Sequence, residues 1–148
     1  MNRGIVVVEA TQGTKDILRV AGEFAEGVGA ELVLVHVTTE EEFSERSDAL
    51  AGLTDLNVEY DVSRARDGAK QFANDIGHAV LNDRDVTFEA VGRLGEVSEE
   101  ILTVAKEYEC DHLFVSGRQR SPTGKAIFGD VAQNLILNFD GPVTVSTA

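Results

Sequence analysis

The residues best suited to chemistry in this sequence lie in one loop near the C-terminus. Gly117 follows a short apolar run, Gly129 precedes a helical pattern, and Arg118, Arg120 and Lys125 lie between them. A glycine lets the backbone turn sharply and lets a ligand approach closely. The start of a helix offers unpaired N–H groups and the positive end of the helix dipole. Guanidinium groups pair well with phosphate oxygens, so the loop predicts an anion site.

The same loop superficially suggests a P-loop, but the spacing excludes that motif. Gly117 to Lys125 has the pattern Gly-x6-Gly-Lys, and Ala126 stands where a P-loop has its magnesium-binding Ser or Thr. Ser121 and Thr123 flank Pro122 in the loop. They indicate either a turn built around proline or an exposed pair of phosphorylation sites, and the turn is favoured.

The remaining reactive side chains do not form a recognisable catalytic or metal-binding set. His36, His78 and His112 are far apart and lack the spacing of a metal site, so we interpret them as structural. Cys110 is the only cysteine and has no obvious group that would stabilise a thiolate, which indicates a packing role. No nucleophile with its base and orienting group can be assembled, so we expect no catalytic residue and no metal.

Charge and composition narrow the class of protein. The chain has 148 residues, enough for one domain spanning residues 1–148, and 26 Asp and Glu against 13 Lys and Arg give a net charge of −13. Such a charge repels nucleic acid and keeps a surface soluble, as in halophiles. A specific cationic partner is the alternative explanation. No apolar run could span a membrane and no signal peptide is visible, so we expect a cytoplasmic protein without a membrane partner.

Strands and helices alternate along the chain, and each helix has a recognisable beginning. Thr14 is expected to cap the first helix, which Gly29 closes. Thr39 with Glu42 predicts a short helix through Leu50, followed by an irregular, polar connection to residue 64. Asp130 is expected to cap the last helix. Strands are expected at 5–8, 31–37, 86–91, 113–116 and 141–146.

Apolar spacing predicts which faces of these helices are buried. Three helices are expected to bury one face each. They are the first helix, the longer helix before the third strand, and the helix before the fourth strand. The residues on these faces are Ile17, Val20, Ala21, Phe24 and Val28, then Ala69, Phe72, Ala73, Ile76 and Val80, then Ile101, Val104, Ala105 and Tyr108.

This alternation, with no hairpin expected, predicts an α/β fold with a parallel sheet covered by helices. Ligands on such sheets bind beyond the carboxyl ends of the strands, where the strand order switches. The loops at residues 9–13 and 117–128 are therefore the candidate site.

Taken together, these segments resemble the universal stress protein family. The resemblance rests on residues 5–8, 29–37, 95–105, 117–131 and 141–145. It implies a three-layer, Rossmann-like sandwich of the adenine nucleotide alpha hydrolase type, with five parallel strands in the order 3-2-1-4-5. It also implies a homodimer through the last strand, where Val143 and Val145 lie.

The family's ATP-binding members carry Gly-x2-Gly-x9-Gly-Ser/Thr around the phosphates and an aspartate after the first strand, near the nucleoside. The resemblance therefore implies ATP with Mg²⁺ as a possible ligand. The matching positions here are Gly117, Arg120, Gly129, Asp130 and Val131 for phosphate, with Ser116, Arg118 and Lys125 beside them, and Ala10 and Val37 for the nucleoside.

This sequence departs from the family pattern at four points. Arg120 replaces the second glycine, the spacing from there to Gly129 is one residue shorter, and Asp130 replaces Ser or Thr. Ala10 replaces the aspartate, and Glu9 is expected to point to the opposite face, as neighbouring residues of a strand do. A capping carboxylate at Asp130 would occupy the amides that a phosphate needs.

Three functions remain open from the sequence. The first is a cytoplasmic regulatory protein, dimeric, that binds ATP or a related nucleotide without efficient catalysis. The second is a dimeric scaffold of the same fold in which Asp130 and the basic loop close the old site. The third is a slow nucleotide hydrolase or a transferase.

Overall fold

A computed structural model describes residues 1–44, 58–120 and 126–147, with the backbone alone for residues 58–61, 118–120 and 126–128. The elements follow in chain order: β1 (Arg3–Val7), α1 (Gln12–Val28), β2 (Glu31–Thr38), α2 (described for residues 40–44), α3 (Val58–Leu81), β3 (Phe88–Leu94), α4 (Val97–Glu107), β4 (His112–Ser116), β5 (Arg118–Arg120), β6 (Ala126–Phe128), α5 (Asp130–Asn138) and β7 (Val143–Ser146).

The main sheet is parallel throughout and has the order β3-β2-β1-β4-β7. Because β7 is the fifth strand of this sheet along the chain, the expected order 3-2-1-4-5 is confirmed. Helices cover both faces, so the central strands are apolar on both sides. In β1, Ile5 belongs to the core beneath α4 and α5, whereas Val6 belongs to the core beneath α1 and α3. None of the described helices is long and apolar enough to cross a membrane.

The third strand lies further along the chain than its sequence suggested. Gly92, just beyond the predicted strand at 86–91, lies inside β3, where a side chain would collide with the backbone of α3 at Arg66 and Lys70. The glycine is therefore needed for the close approach of a helix and not for a bend. The helix α3 itself begins at Val58, so the stretch from 58 to 64 is helical and not irregular.

A small hairpin was not expected. β5 and β6 pair antiparallel, with Gln119 opposite Ile127, and they form a two-stranded sheet separate from the main one. Such short arms leave little room for the apolar alternation by which a hairpin is recognised in a sequence.

Helix α1 differs from its prediction at its cap and at its exposed face. Thr11, not Thr14, is the N-cap, and its hydroxyl accepts a hydrogen bond from the Thr14 amide at 3.3 Å. Thr14 is buried in the first turn, where its own Oγ1 accepts from the Glu9 amide at 2.9 Å. Phe24 and Val28, expected in the core, are 48% and 58% exposed. The apolar stripe of the helix is thus wider than the surface it covers.

Candidate functional site

A cleft of about 500 Å³ opens at the carboxyl ends of β1 and β2. Its walls are the residues that follow β1, the end of β2, the start of α2, the middle of α3 and the first residue of α4. This is the edge of a parallel sheet at which ligands bind.

Both residues assigned to the nucleoside side, Ala10 and Val37, line this cleft. Glu9 lines it as well, which corrects the expectation that Glu9 points away. The strand β1 ends at Val7, so the alternation of side chains no longer applies two residues later. Burial raises the pKa of the Glu9 carboxyl above its ordinary value, and the charge of His36 opposes that shift.

His36 has a fixed orientation in the cleft. Its Nδ1 lies 2.7 Å from the Val8 carbonyl oxygen, and its ring packs against Phe72 with centroids 4.7 Å apart. Because a carbonyl only accepts, Nδ1 carries a proton and donates this hydrogen bond. The bond and the ring packing fix His36 in the wall of the cleft, beside Glu9.

The opening of the cleft is bordered by α2. The Thr39 hydroxyl accepts a hydrogen bond from the Glu42 amide at 3.1 Å, as the capping pattern predicted, and the helix is observed from residue 40. Glu42 and Phe43 line the cleft from this helix. The described lining contains two carboxylates and neither Lys nor Arg, so it does not attract a phosphate group.

A second part of the site lies at the end of β4, next to β1 in the sheet. The Gly117 amide donates to the Ser146 carbonyl of β7 at 3.0 Å, and the Gly117 carbonyl accepts from the Gly129 amide at 3.1 Å. Ser116 lies against the first turn of α1, so closely that a side chain at Gly13 would overlap the Ser116 Oγ. The ends of β4 and β7 and the starts of α1 and α5 therefore converge here.

The start of α5 corrects the expected role of Asp130. Gly129 is the N-cap and supplies no capping side chain, whereas Asp130 is the first residue of the helix and its side chain is exposed. A carboxylate at this position adds charge near the helix start but does not satisfy its amides. Val131 packs against the core from the first turn. Among the residues that the structure describes, no side chain caps the first amides of α5, which is the arrangement that can bind an anion.

The basic residues of the loop are placed only in part. Arg118 and Arg120 lie in β5, directly after Gly117, and are described by their backbone. Lys125, Ser121 and Thr123 lie outside the described residues, so the anion site formed by the basic side chains and the pair of phosphorylation sites stay predictions.

Other reactive groups have structural surroundings. Within the part of the chain that the structure describes, no three His, Cys, Asp or Glu side chains form a group that could hold a metal ion. Cys110 is half-buried, and burial raises the pKa of its thiol to about 11. His112 hydrogen-bonds to Thr144 through Nε2 at 2.8 Å, and His78 packs on Phe88.

Sequence reasoning missed the contributions of α2 and α3 to the cleft. Phe72 was assigned to a buried helix face, and Gly68 was not considered. The missed signal for α2 was the end of β2: this strand ends at Thr38, at the cleft, and α2 is described from residue 40.

Solved structures share this architecture. The chain superposes on the hypothetical protein MJ0577 with a TM-score of 0.74 at 18% identity, covering 99% of this chain and 96% of that one. For a universal stress protein in complex with cAMP the TM-score is 0.64 at 16% identity, covering 99% of this chain and 96% of that one. For a universal stress protein from Archaeoglobus fulgidus in complex with dAMP the TM-score is 0.56 at 19% identity, covering 98% of this chain and 96% of that one. At these identities the likeness shows the fold.

The sequence comparisons show the family. A universal stress protein from Mycolicibacterium smegmatis is 38% identical over 66 residues, which are 44% of this chain and 51% of that protein, so the match spans about half the length of that relative. The model of the universal stress protein family matches residues 1–146. Together with the strand order and the site at the carboxyl edge of the sheet, this shows that the chain belongs to the universal stress protein family.

Proposed function

We propose that this protein is a cytoplasmic regulatory protein that binds a nucleotide, ATP with Mg²⁺ among the candidates, without efficient turnover. The base and ribose occupy the cleft beside Ala10 and Val37, and the phosphates lie at the start of α5. The observation that carries the proposal is the N-terminus of α5, where the N-cap Gly129 supplies no capping side chain, at the end of the strand that neighbours β1.

The charges support this orientation of the ligand. The cleft presents the carboxyl groups of Glu9 and Glu42, and these suit ribose hydroxyls and amino groups better than phosphate. Gly129, the N-cap of α5, supplies no side chain to the first amides of that helix, and Arg118 and Arg120 follow β4 nearby in the chain. Complexes of family members with cAMP and dAMP support an adenine nucleotide as the ligand class.

The proposal is tested by titration calorimetry of ATP with Mg²⁺ into protein freed of co-purified ligand, at high salt. We expect one site per chain. The variant Gly68→Leu should weaken binding at least about tenfold, because the new side chain enters the cleft, where loss of fit costs on the order of 1–3 kcal/mol. A Cβ at Gly68 has no heavy atom within 4 Å, so the fold should tolerate it.

Gly27→Leu is the matched control. Gly27 also lies in a helix, its Cβ would also have no heavy atom within 4 Å, and it is remote from the cleft lining. It should bind nucleotide like the wild type. No heat from a folded wild type would contradict the proposal and favour a scaffold of the same fold.

We also propose a homodimer through β7. All four residues of this edge strand are half-exposed, and none is charged. Exposed apolar side chains lie nearby on α1: Phe24 packs against His112, which bonds to Thr144 of β7. An uncharged edge with apolar flanks is open to strand pairing.

A further inference from the structure

The opposite edge of the sheet, β3, differs from β7 in its chemistry. A shallow cleft of about 210 Å³ runs along it, bordered by α3 on one face of the sheet and by Tyr108 at the end of α4 on the other. Since the cleft touches elements on both faces, it lies along the open side of the strand. Five charged residues border it: Arg66, Asp67, Lys70, Glu89 and Arg93.

The hydrogen bonds to β2 determine which backbone groups of β3 face this cleft. The Leu32 amide donates to the Thr87 carbonyl at 3.0 Å, and the Gly95 amide donates to the Thr38 carbonyl at 3.0 Å. The register between these bonds is continuous, so the odd-numbered residues of β3 pair with β2. The N–H and C=O groups of even-numbered residues, Gly92 among them, therefore point outward.

One outward carbonyl is already occupied. Nη1 of Arg93 donates to the Gly92 carbonyl oxygen at 3.2 Å, and Nη2 of the same guanidinium donates to Oε2 of Glu107 at 2.8 Å. The Arg93 side chain is only 26% exposed, although it lies at the rim of the sheet. The ion pair thus holds the guanidinium across the strand edge, on an acceptor that an incoming strand would need.

We propose that Arg93, anchored by Glu107, closes the β3 edge to pairing with a second copy of this chain and so leaves β7 as the edge for association. The strand has seven residues and includes the buried Ala90 and Val91, so without this contact it would present a long pairing edge. A charged side chain directed across an edge is a recognised means of preventing such pairing. The proposal does not depend on nucleotide binding.

The test compares Arg93→Ala with Arg19→Ala by sedimentation velocity over a wide range of protein concentration. Arg19 is the matched control, because it is an arginine in an ion pair, with Asp16 at 3.0 Å, but lies on the exposed face of α1. We expect Arg93→Ala to form species larger than those of the wild type, in an amount about tenfold greater at the highest concentration. Arg19→Ala should sediment like the wild type.

Wild-type sedimentation of a folded Arg93→Ala at every concentration would overturn the proposal. Hydrogen exchange then locates any new contact: the peptide covering β3 should be protected in the larger species, and protection elsewhere alone would also overturn it. If circular dichroism shows that Arg93→Ala is unfolded, Glu107→Ala removes the anchor while keeping the guanidinium. It should associate in the same way, and its failure to do so would count against the proposal.

Discussion

At the scale of single residues, Asp130 has two opposing effects. It is exposed in the first turn of α5, where a negative charge stabilises the helix dipole by about 0.3–1 kcal/mol. The same charge repels a phosphate at the helix start: at 4 Å and an effective dielectric of 20, two unit charges interact by about 4 kcal/mol. Exposure reduces that figure in water. The residue therefore favours the empty site over the occupied one.

Replacing the charge should separate these effects. Asp130→Asn is expected to tighten ATP binding about three- to tenfold, in calorimetry at low salt, because the repulsion is lost. It should also lower the free energy of unfolding in urea by about 0.5 kcal/mol. The control is Asp140→Asn, the same change at an exposed position beyond the other end of α5. Unchanged affinity of Asp130→Asn would show that no phosphate lies at this helix start.

At the scale of elements, the contact between α3 and β3 determines the shape of that side of the sheet. A Cβ at Gly92 would meet the Arg66 carbonyl and the Lys70 amide of α3, both backbone groups that cannot rotate away. Helix and strand therefore pack backbone against backbone. The same helix carries Ala69 and Phe72 into the wall of the cleft, so its distance from the sheet also sets the width of the cleft.

This contact predicts opposite effects for two glycine substitutions. Gly92→Ala should lower the free energy of unfolding by roughly 2 kcal/mol or more, since overpacking of this kind typically costs 1–3 kcal/mol. Gly27→Ala, in a helix with open space around its Cβ, should raise it by about 0.5–1 kcal/mol. Urea denaturation measures both. A Gly92→Ala variant as stable as the wild type would mean that α3 can move away from the sheet.

The elements also show what a sequence can and cannot predict. The five parallel strands were predictable because buried β-branched runs such as Ile5 to Val8 are unmistakable, and their order followed from the family resemblance. Ala10 and Val37 both line the cleft, because Ala10 follows β1 and Val37 lies near the end of β2. Their contact with a nucleoside stays a prediction. The cap at Gly129, the orientation of Glu9 and the position of Gly92 were not predicted, since each depends on where an element ends or how closely two elements pack.

At the scale of the whole molecule, the two edges of the sheet differ in charge. The β3 edge is bordered by charged side chains and holds Arg93 across it, whereas β7 carries Val143, Thr144, Val145 and Ser146. A chain with a net charge of −13 repels its own copies, so association needs a surface with little charge. The β7 edge provides one.

A charge placed on this edge should therefore abolish the dimer. We expect Val145→Asp to sediment as a monomer at concentrations where the wild type is a dimer, because pairing would bury the new carboxylate. Thr87→Asp, which adds the same charge at an exposed position before β3, should leave the dimer intact. If Val145→Asp remains dimeric, the interface lies elsewhere.

Gly117 gives the molecule a property that neither surface has alone. Its amide is bonded to Ser146 of β7 and its carbonyl to Gly129 at the start of α5, so one residue joins the proposed phosphate site to the proposed dimer edge. If a ligand at α5 shifts this residue, it alters the free energy of dimerisation. Thermodynamic linkage then requires dimerisation to alter the affinity for the ligand by the same factor. The protein would report nucleotide concentration as a change in its number of subunits.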